Sequence, residues 1–291
     1  MITALCLNFA SCKKQEEPDT ADYNGNYEET TLSTVKTLDN YINIVGRSDI
    51  FSLAKTDAFQ LKGKVEKTCI NNGDSASLIE NAANLTEYDF KLIMNSSPVV
   101  SSYTKYDDRE IVNYLESGIL YSSIEDNKVF IDMNEKLYSY YEQLKSSVNT
   151  ASDFSVNITN ILDAVVDGDV SADCIKIASS KKYLKVKITP NDELIKTMYM
   201  RTNINDYMNN LAVSGTDGEC FYLFDKNYVL ISSKSNISYT TIVKGVESRY
   251  KSEYSLEKFT GTITPHEKLD TFVNENKPPK ASNSGSSAKA H

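Results

Sequence analysis

Hydrophobic and polar residues alternate along much of the chain with a period of two, the pattern of a strand with one buried face. The first two such stretches are FQLKGKVEKTC and NLTEYDFKLIM. Their apolar positions are Phe59, Leu61, Val65, Cys69, Tyr88, Phe90, Leu92 and Met94. The pattern predicts further strands at about 99–106, 109–116, 119–124, 128–133, 173–178, 182–188 and 246–257, and in CFYLF, YVLIS, ISYTTIV and FTGTIT. Turn-forming clusters such as YDD, ESG and EDN separate several of them.

Three other stretches space their apolar residues three and four apart, which predicts helices with one apolar stripe. They cover 32–45 before Gly46, a segment from the cap Ser152 or Asp153 to Gly168, and about 191–212 after Thr189 as N-cap and Pro190 as first residue. The stripes comprise Leu32, Val35, Leu38, Ile42, Val45, Phe154, Ile158, Ile161, Leu162, Val165, Leu194, Met198, Arg201, Met208 and Leu211. The segment MNEKLYSYY is predicted as a turn and a short strand containing Leu137 and Tyr138.

The order of these elements predicts an α+β domain. Strands joined by short turns are expected to be antiparallel neighbours. Such a sheet has one apolar and one polar face, and the helices must cover the apolar one. We therefore predict a large curved antiparallel β-sheet wrapped around a few helices.

The first residues resemble the end of a bacterial signal peptide. Ala10 and Ser11 precede Cys12, after the short apolar run ALCLNFA. This is similar to the lipobox of bacterial lipoproteins, whose cysteine is lipidated and becomes the mature N-terminus. Phe9 stands where leucine is usual, and no basic residue precedes the run. The alternative is that residues 1–12 are only an apolar terminus.

Low-complexity segments flank the predicted domain. Residues 13–30 hold many acids and no aliphatic cluster, so we predict a solvated tether. Residues 274–291 are predicted to be a disordered tail. The remaining 31–273 form a single domain, preceded by a truncated signal peptide at 1–12. A lipid on Cys12 would anchor this exported protein to the outer face of the bacterial cell membrane.

Composition narrows the classes of function. The chain has 291 residues and a formal net charge of −9, which disfavours binding to nucleic acid or to anionic lipid surfaces. No long apolar run follows the first dozen residues. There are 19 tyrosines and no tryptophan. The tyrosines 138, 140, 141, 250 and 254 could contact sugars or peptides if exposed, or could simply suit half-buried strands.

Reactive side chains are few. The cysteines Cys69, Cys174 and Cys220 lie in predicted strands without a CxxC pair, so we predict buried free thiols, with one disulfide as the alternative. His266 is predicted to lie on the surface. Turn roles rather than calcium binding are predicted for Asp107, Asp108, Asp167 and Asp169. We predict no enzyme activity, no cofactor and no metal site.

Three phrases resemble the lipoprotein-carrier superfamily of LolA, LolB and the mycobacterial LppX type, and in particular its uncharacterised branch in Gram-positive bacteria. They are the hairpin NKVFIDMNEKLYSY, the strand–turn–strand unit FYLFDKNYVLISSKSN, and the closing strand FTGTITPHEKLDTF with Pro265 and Glu267. The resemblance implies a half-barrel whose concave side can hold acyl chains. It implies no catalytic residue.

The sequence therefore predicts a non-enzymatic, monomeric cell-envelope lipoprotein that binds a lipid or another apolar ligand. The predicted lining consists of Phe59, Leu61, Tyr88, Phe90, Leu92, Met94, Val129, Ile131, Met133, Ile158, Leu162, Val165, Leu184, Val186 and Ile188. The alternative is a surface interaction or adhesive domain in which the same residues form a packed core. A cavity wall and a core have the same periodicity, so the sequence leaves both open.

Overall fold

The computed structural model describes residue 23 and residues 25–30, 50–71, 82–133, 135–152, 158–202, 210–243 and 245–277. Cys12, the predicted helix over 32–45, Phe154 and Met208 lie outside these ranges.

One antiparallel sheet of twelve strands dominates the described part of the chain. Its strands are β1 (Glu28–Thr30), β2 (Phe59–Asn71), β3 (Ala82–Ile93), β4 (Val99–Tyr106), β5 (Arg109–Glu116), β6 (Ile119–Ile124), β7 (Asn127–Asp132), β8 (Ile175–Ser179), β9 (Tyr183–Ile188), β10 (Ala212–Asp225), β11 (Leu230–Val243) and β12 (Val246–Lys258). They lie in the order β1-β8-β9-β10-β11-β12-β2-β3-β4-β5-β6-β7. The sheet is open, with β1 and β7 at its edges, and the predicted α+β class with one large antiparallel sheet is confirmed.

Tight turns join several consecutive strands. Ser117 and Gly118 connect β5 to β6, and Glu125 and Asp126 connect β6 to β7. All four have positive φ angles. Two-residue hairpins of this kind are type I′ turns, whose twist matches that of the strands. The clusters ESG and EDN therefore act as the turns that the sequence predicts.

Five helices accompany the sheet in the described ranges: α1 (Ile50–Leu53), α2 (Leu137–Ser152), α3 (Ile158–Asp167), α4 (Asp192–Thr202) and α5 (Glu267–Asn276). The short strand predicted in MNEKLYSYY is wrong, because this segment begins α2. Leu137, Tyr140, Tyr141 and Leu144 recur at helical spacing and all turn toward the core. Since Ser152 is the last residue of α2, it does not cap α3, whereas the predicted stop at Gly168 has the φ of +82° typical of a helix end.

Helix α4 begins and ends differently from its prediction. The Asn191 side chain, rather than Thr189, caps it, because its Oδ1 accepts the Leu194 N–H at 2.8 Å. Leu211 lies outside the helix, since β10 begins at Ala212.

The two ends of the described chain also differ from expectation. Residues 28–30 pair with β8, so the predicted tether 13–30 is ordered at its end. FTGTIT is not a strand. It leads into α5, which His266 caps by accepting the Lys268 N–H and which continues to Asn276, beyond the predicted end at 273.

The sheet has hydrophobic clusters on both faces. Helices α1 to α4 pack against one face, which we call the inner face. Helix α5 packs against the opposite, outer face, where Leu269 and Val273 join Val112, Tyr114 and Tyr121. The sequence predicts that one face of the sheet is exposed to solvent, whereas α5 covers part of that face.

Candidate ligand-binding face of the sheet

The inner face is built by strand register. Phe59 pairs with Leu92 and Leu61 with Phe90 across β2 and β3, while Leu61 pairs with Leu256 on β12. On the far side of the sheet, Val186 and Ile188 of β9 face β10. Because side chains alternate along each strand, these partners all point to the same side. The result is a continuous apolar floor.

The helices close over this floor. Ile158, Leu162 and Val165 of α3 are buried together with Leu194 and Met198 of α4. Helix α2 adds Tyr140 and Leu144 and contacts β2 and β3.

Most of the predicted lining residues come together in this cluster. Buried within it are Phe59, Leu61, Tyr88, Phe90, Leu92, Met133, Ile158, Leu162, Val165, Leu184, Val186 and Ile188, and half-buried Met94 packs against them. Val129 and Ile131 do not join the cluster: they are 50% and 42% exposed. The reason is their position on β7, the edge strand, all of whose residues are exposed.

A band of hydroxyl groups crosses the middle of the inner face, a feature that the sequence analysis missed. It is formed by Tyr88, Tyr222, Ser233, Ser235, Ser252 and Tyr254, which register places next to Gly63 and Cys220. All six are buried. A possible sequence signal is the repeated serine at positions where the strand pattern calls for an apolar residue.

Two hydroxyl groups in this region are buried without a hydrogen-bond partner in the described structure. They are the Tyr140 hydroxyl on α2 and the Ser252 hydroxyl on β12. Burial raises the pKa of Tyr140 well above its ordinary value, so the phenol stays protonated and can donate. Unpartnered buried hydroxyls are costly and uncommon in native proteins.

The tyrosines considered as contact residues in the sequence differ in burial. Tyr140 and Tyr254 are buried, while Tyr138 is 76% exposed on α2. Tyr250 stacks on Tyr239 with ring centroids 5.0 Å apart, and the Lys67 ammonium lies 5.2 Å from the Tyr250 ring. The Tyr239 hydroxyl lies 3.1 Å from that of Tyr199. This ladder connects α4 to the sheet at one end of the hydroxyl band.

The cysteines of the described part of the chain, Cys69, Cys174 and Cys220, are free thiols. Cys174 and Cys220 are buried and Cys69 is half-buried. Burial raises the pKa of Cys220 to about 11, and its sulfur lies 3.2 Å from the Ser235 hydroxyl oxygen. The predicted turn residues Asp167 and Asp169 pair with Arg201 of α4, at 2.7 Å and 2.5 Å.

The outer face carries grooves. One of about 500 Å³ lies over β10, β11, β12 and β2, lined in part by Lys62, Lys64, Phe221, Lys234 and Glu253. Another, of about 220 Å³, lies beside the β4–β5 and β6–β7 turns. Neither is lined by the predicted ligand residues.

Tyr23 and Tyr27, near the start of the described residues, contact the same face. The Tyr23 hydroxyl oxygen lies 2.7 Å from that of Ser232, and its ring lies 6.0 Å from Phe221. The Lys185 ammonium donates to the Tyr23 carbonyl and lies 4.2 Å from the Tyr27 ring. This chain segment is therefore held across the outer ends of β9 to β11.

None of the described helices is long and apolar enough to span a membrane. Within the same residues, no cluster of three or more His, Cys, Asp or Glu side chains is arranged to hold a metal ion.

No protein-family model matches the sequence, and no curated protein matches it significantly. Solved structures to which the chain is similar include the following three. LprF from Mycobacterium bovis is 12% identical with a TM-score of 0.21, covering 77% of this chain and 94% of LprF. A LolA superfamily protein from Nitrosomonas europaea is 10% identical with a TM-score of 0.21, covering 78% and 95%. A beta-barrel-like protein of a domain of unknown function from Brucella abortus is 8% identical with a TM-score of 0.19, covering 69% and 98%.

One LolA superfamily protein is therefore among the solved structures to which this chain is similar. The low identities and TM-scores say nothing about a ligand.

Proposed function

We propose that the chain is a non-enzymatic envelope lipoprotein that binds an apolar ligand with one polar group between α2 and the inner face. The observation that carries this proposal is that two buried hydroxyls, of Tyr140 on α2 and of Ser252 on β12, have no hydrogen-bond partner among the described residues. Leaving a hydroxyl buried without a partner costs roughly 1–3 kcal/mol. A bound hydroxyl, ester or carboxyl group would recover that cost.

The apolar side chains beside the hydroxyl band favour an apolar chain as the remainder of the ligand. Phe59, Leu61, Phe90 and Leu92 provide apolar surface on one side of the hydroxyl band. An acyl chain would gain roughly 0.8 kcal/mol for each methylene buried there. A fatty-acyl compound with one polar end group therefore fits both parts of the face.

Entry requires α2 to move. Its packing on β2 and β3 involves Tyr140 and Leu144, with Leu137 and Tyr141 at its margin. Outward displacement of this one helix would open the floor without breaking the sheet. We infer that α2 is the element that makes room for the ligand.

Membrane attachment through Cys12 is a separate part of the proposal. It rests on the sequence Ala10–Ser11–Cys12 alone. A Cys12→Ala variant should move from the membrane to the soluble fraction, and it should lose its mass increment for acylation.

Close burial of the inner face favours a second function, a surface interaction domain with a packed core. Leu61, Leu92 and Val186 are fully buried without any ligand. In that case the two buried hydroxyls would only lower the free energy of unfolding, and the protein would bind no ligand.

One experiment separates the two functions. The full chain is purified from bacteria, its native mass is measured, and binding of a fluorescent fatty acid is titrated against wild type, Tyr140→Phe and Ser252→Ala. Ligand binding through these hydroxyls predicts a roughly fivefold weaker Kd in each variant, the equivalent of about 1 kcal/mol. Tyr138→Phe is the matched control, because Tyr138 is exposed on the same helix. A wild-type protein with neither an adduct nor saturable binding would overturn the ligand proposal.

A further inference from the structure

Among the described strands, β7 lies at one edge of the sheet. Asn127–Asp132 are all exposed, and Phe130 is 53% exposed between half-exposed Val129 and Ile131. Edge strands usually carry charges or are very short, because their free backbone groups can pair with another strand. The other described edge follows that rule, since β1 has three residues of sequence EET. The contrast makes β7 the described edge that is better suited to pairing with another strand.

The hairpin geometry fixes which backbone groups of β7 point outward. The two-residue turn at Glu125–Asp126 makes Ile124 and Asn127 a hydrogen-bonded pair. Alternation along the ladder then directs the N–H and C=O groups of Asn127, Val129 and Ile131 toward β6. The Met133 N–H continues this series, since it donates to the Gly118 carbonyl at 2.8 Å. The backbone groups of Lys128, Phe130 and Asp132 therefore face the open edge.

The strand is complementary to itself in one antiparallel register. If Phe130 lies opposite Phe130 of a second copy, Lys128 lies opposite Asp132 of that copy, and Val129 lies opposite its Ile131. Each outward residue then meets another outward residue, so each such pair can exchange two N–H···O bonds. Opposite charges, apolar pairs and an aromatic pair are the cross-strand combinations that stabilise sheets.

Neighbouring registers that also align outward groups are poorer. A shift by one pair places Lys128 opposite Phe130 and brings Asp132 opposite Asp126 of the turn. Like charges directly opposite are destabilising. The opposite shift places Phe130 against Asp132 and leaves Lys128 beyond the ladder. Only the register centred on Phe130 matches charge with charge of opposite sign.

We propose that two copies of this chain pair through β7, antiparallel and centred on Phe130, so that their sheets continue into one another. The pairing gives a cross-strand apolar neighbour to Val129 and Ile131, the two predicted lining residues that the inner cluster leaves exposed. Such a symmetric contact uses the same surface on both copies and closes at a dimer. It replaces the monomer expected from the sequence, and it does not depend on the ligand proposal.

Charge exchange tests the register. The mass of the full chain is measured by light scattering over a concentration series, for wild type, Lys128→Asp, Asp132→Lys and the double variant. Wild type should form a species of twice the 32.6 kDa chain mass. Each single change creates two like-charge pairs and should raise the dimer Kd about tenfold. The double variant restores opposite charges and should recover the wild-type Kd to within about threefold.

A cysteine scan tests the same register without relying on affinity. Phe130→Cys should form an intermolecular disulfide under mild oxidation, because its Cα would lie about 5.5 Å from its counterpart. Lys128→Cys is the matched control: it is equally exposed, but four residues of offset place its counterpart about 14 Å away. Circular dichroism confirms folding of each variant. The proposal is overturned if the wild-type protein keeps the mass of a single chain at a concentration of about 100 micromolar. Equal crosslinking at positions 128 and 130 would also overturn it.

Discussion

Gly63 and Tyr88 lie directly opposite each other in the β2–β3 ladder, and the Tyr88 side chain fills the space beside the glycine. A Cβ atom at position 63 would lie 2.5 Å from the Tyr88 hydroxyl oxygen and would also collide with the Glu253 carbonyl. The absence of a side chain at Gly63 therefore lets the hydroxyl band run unbroken across β2.

Gly63→Ala should consequently destabilise the protein. Overpacking against a backbone carbonyl typically costs about 1–3 kcal/mol, which chemical denaturation can measure as a lower free energy of unfolding. The neighbouring Lys62→Ala is the control, because Lys62 is exposed on the outer face and should change stability by less than about 0.5 kcal/mol. Equal stability of the two variants would contradict this packing.

The Cys220 thiol predicts a loss of stability at high pH. Its pKa is about 11 in the folded protein against an ordinary value of 9.0, because burial disfavours the thiolate. The stabilisation is complete below pH 9 and disappears as the pH rises through 11, since the unfolded thiol ionises first. The two pKa units correspond to about 3 kcal/mol.

The test compares wild type with Cys220→Ala by denaturation at several pH values. The buried tyrosines Tyr222 and Tyr254 contribute in the same direction in both proteins. Burial is the main cause of their raised pKa in both proteins, while the smaller part that comes from the nearby Cys220 thiolate belongs to the difference being measured. The stability difference should shift in favour of the variant between pH 9 and 11, and a difference that is flat with pH would show that the thiol is not responsible.

Arg201 joins α4 to the turn after α3 by pairing with both Asp167 and Asp169. Its side chain is 26% exposed, so the pairing should contribute only about 0.5–1 kcal/mol. Arg201→Ala should lower the free energy of unfolding by that amount at low salt and by less in 1 M NaCl, where charges are screened. Arg201→Lys should keep part of this contribution at low salt, because the ammonium retains the charge but loses the Nε–H donor that also contacts Asp169. A salt-independent loss would point to packing instead.

The contacts of Tyr23 should protect the described residues between 23 and 30 from proteolysis. Its ring contacts Phe221 and lies 4.4 Å from the Lys234 ammonium, and its hydroxyl pairs with Ser232. Tyr23→Ala should therefore speed proteolysis between residues 23 and 30 several-fold without changing the Tm by more than a few degrees. Tyr23→Phe keeps the ring and loses only the hydroxyl, so its cleavage rate should stay near that of wild type. If Tyr23→Ala is cut no faster, the contacts do not hold the segment.

Strand patterns in the sequence predicted the sheet well where one face is apolar and the other charged. In β2 and β3, Leu61 and Phe90 alternate with Lys62 and Asp89, which leaves little choice of face. Helix α2 was missed because Tyr138, Tyr140 and Tyr141 are typical strand residues. Only the spacing of Leu137, Tyr140, Tyr141 and Leu144, taken together, indicates the helix.

Other features depend on contacts between distant parts of the chain. Tyr121 occupies a position that the alternation assigns to the wet face, and only the packing of α5 buries it. The two unpartnered hydroxyls could not be predicted, because whether Ser252 has a partner depends on β11 and β2, its neighbours in the sheet. Periodicity gives the face on which a side chain lies, but not what it meets there.

The attachment of Tyr23 to the outer face limits how the domain can stand on a membrane. Eleven peptide steps separate Cys12 from Tyr23. Even fully extended, they reach about 40 Å at most. A lipid on Cys12 would therefore keep the β9–β11 end of the outer face within that height of the bilayer. This short connection would restrict which side of the sheet could exchange a ligand with the membrane surface. It would also restrict which side would face away from the cell.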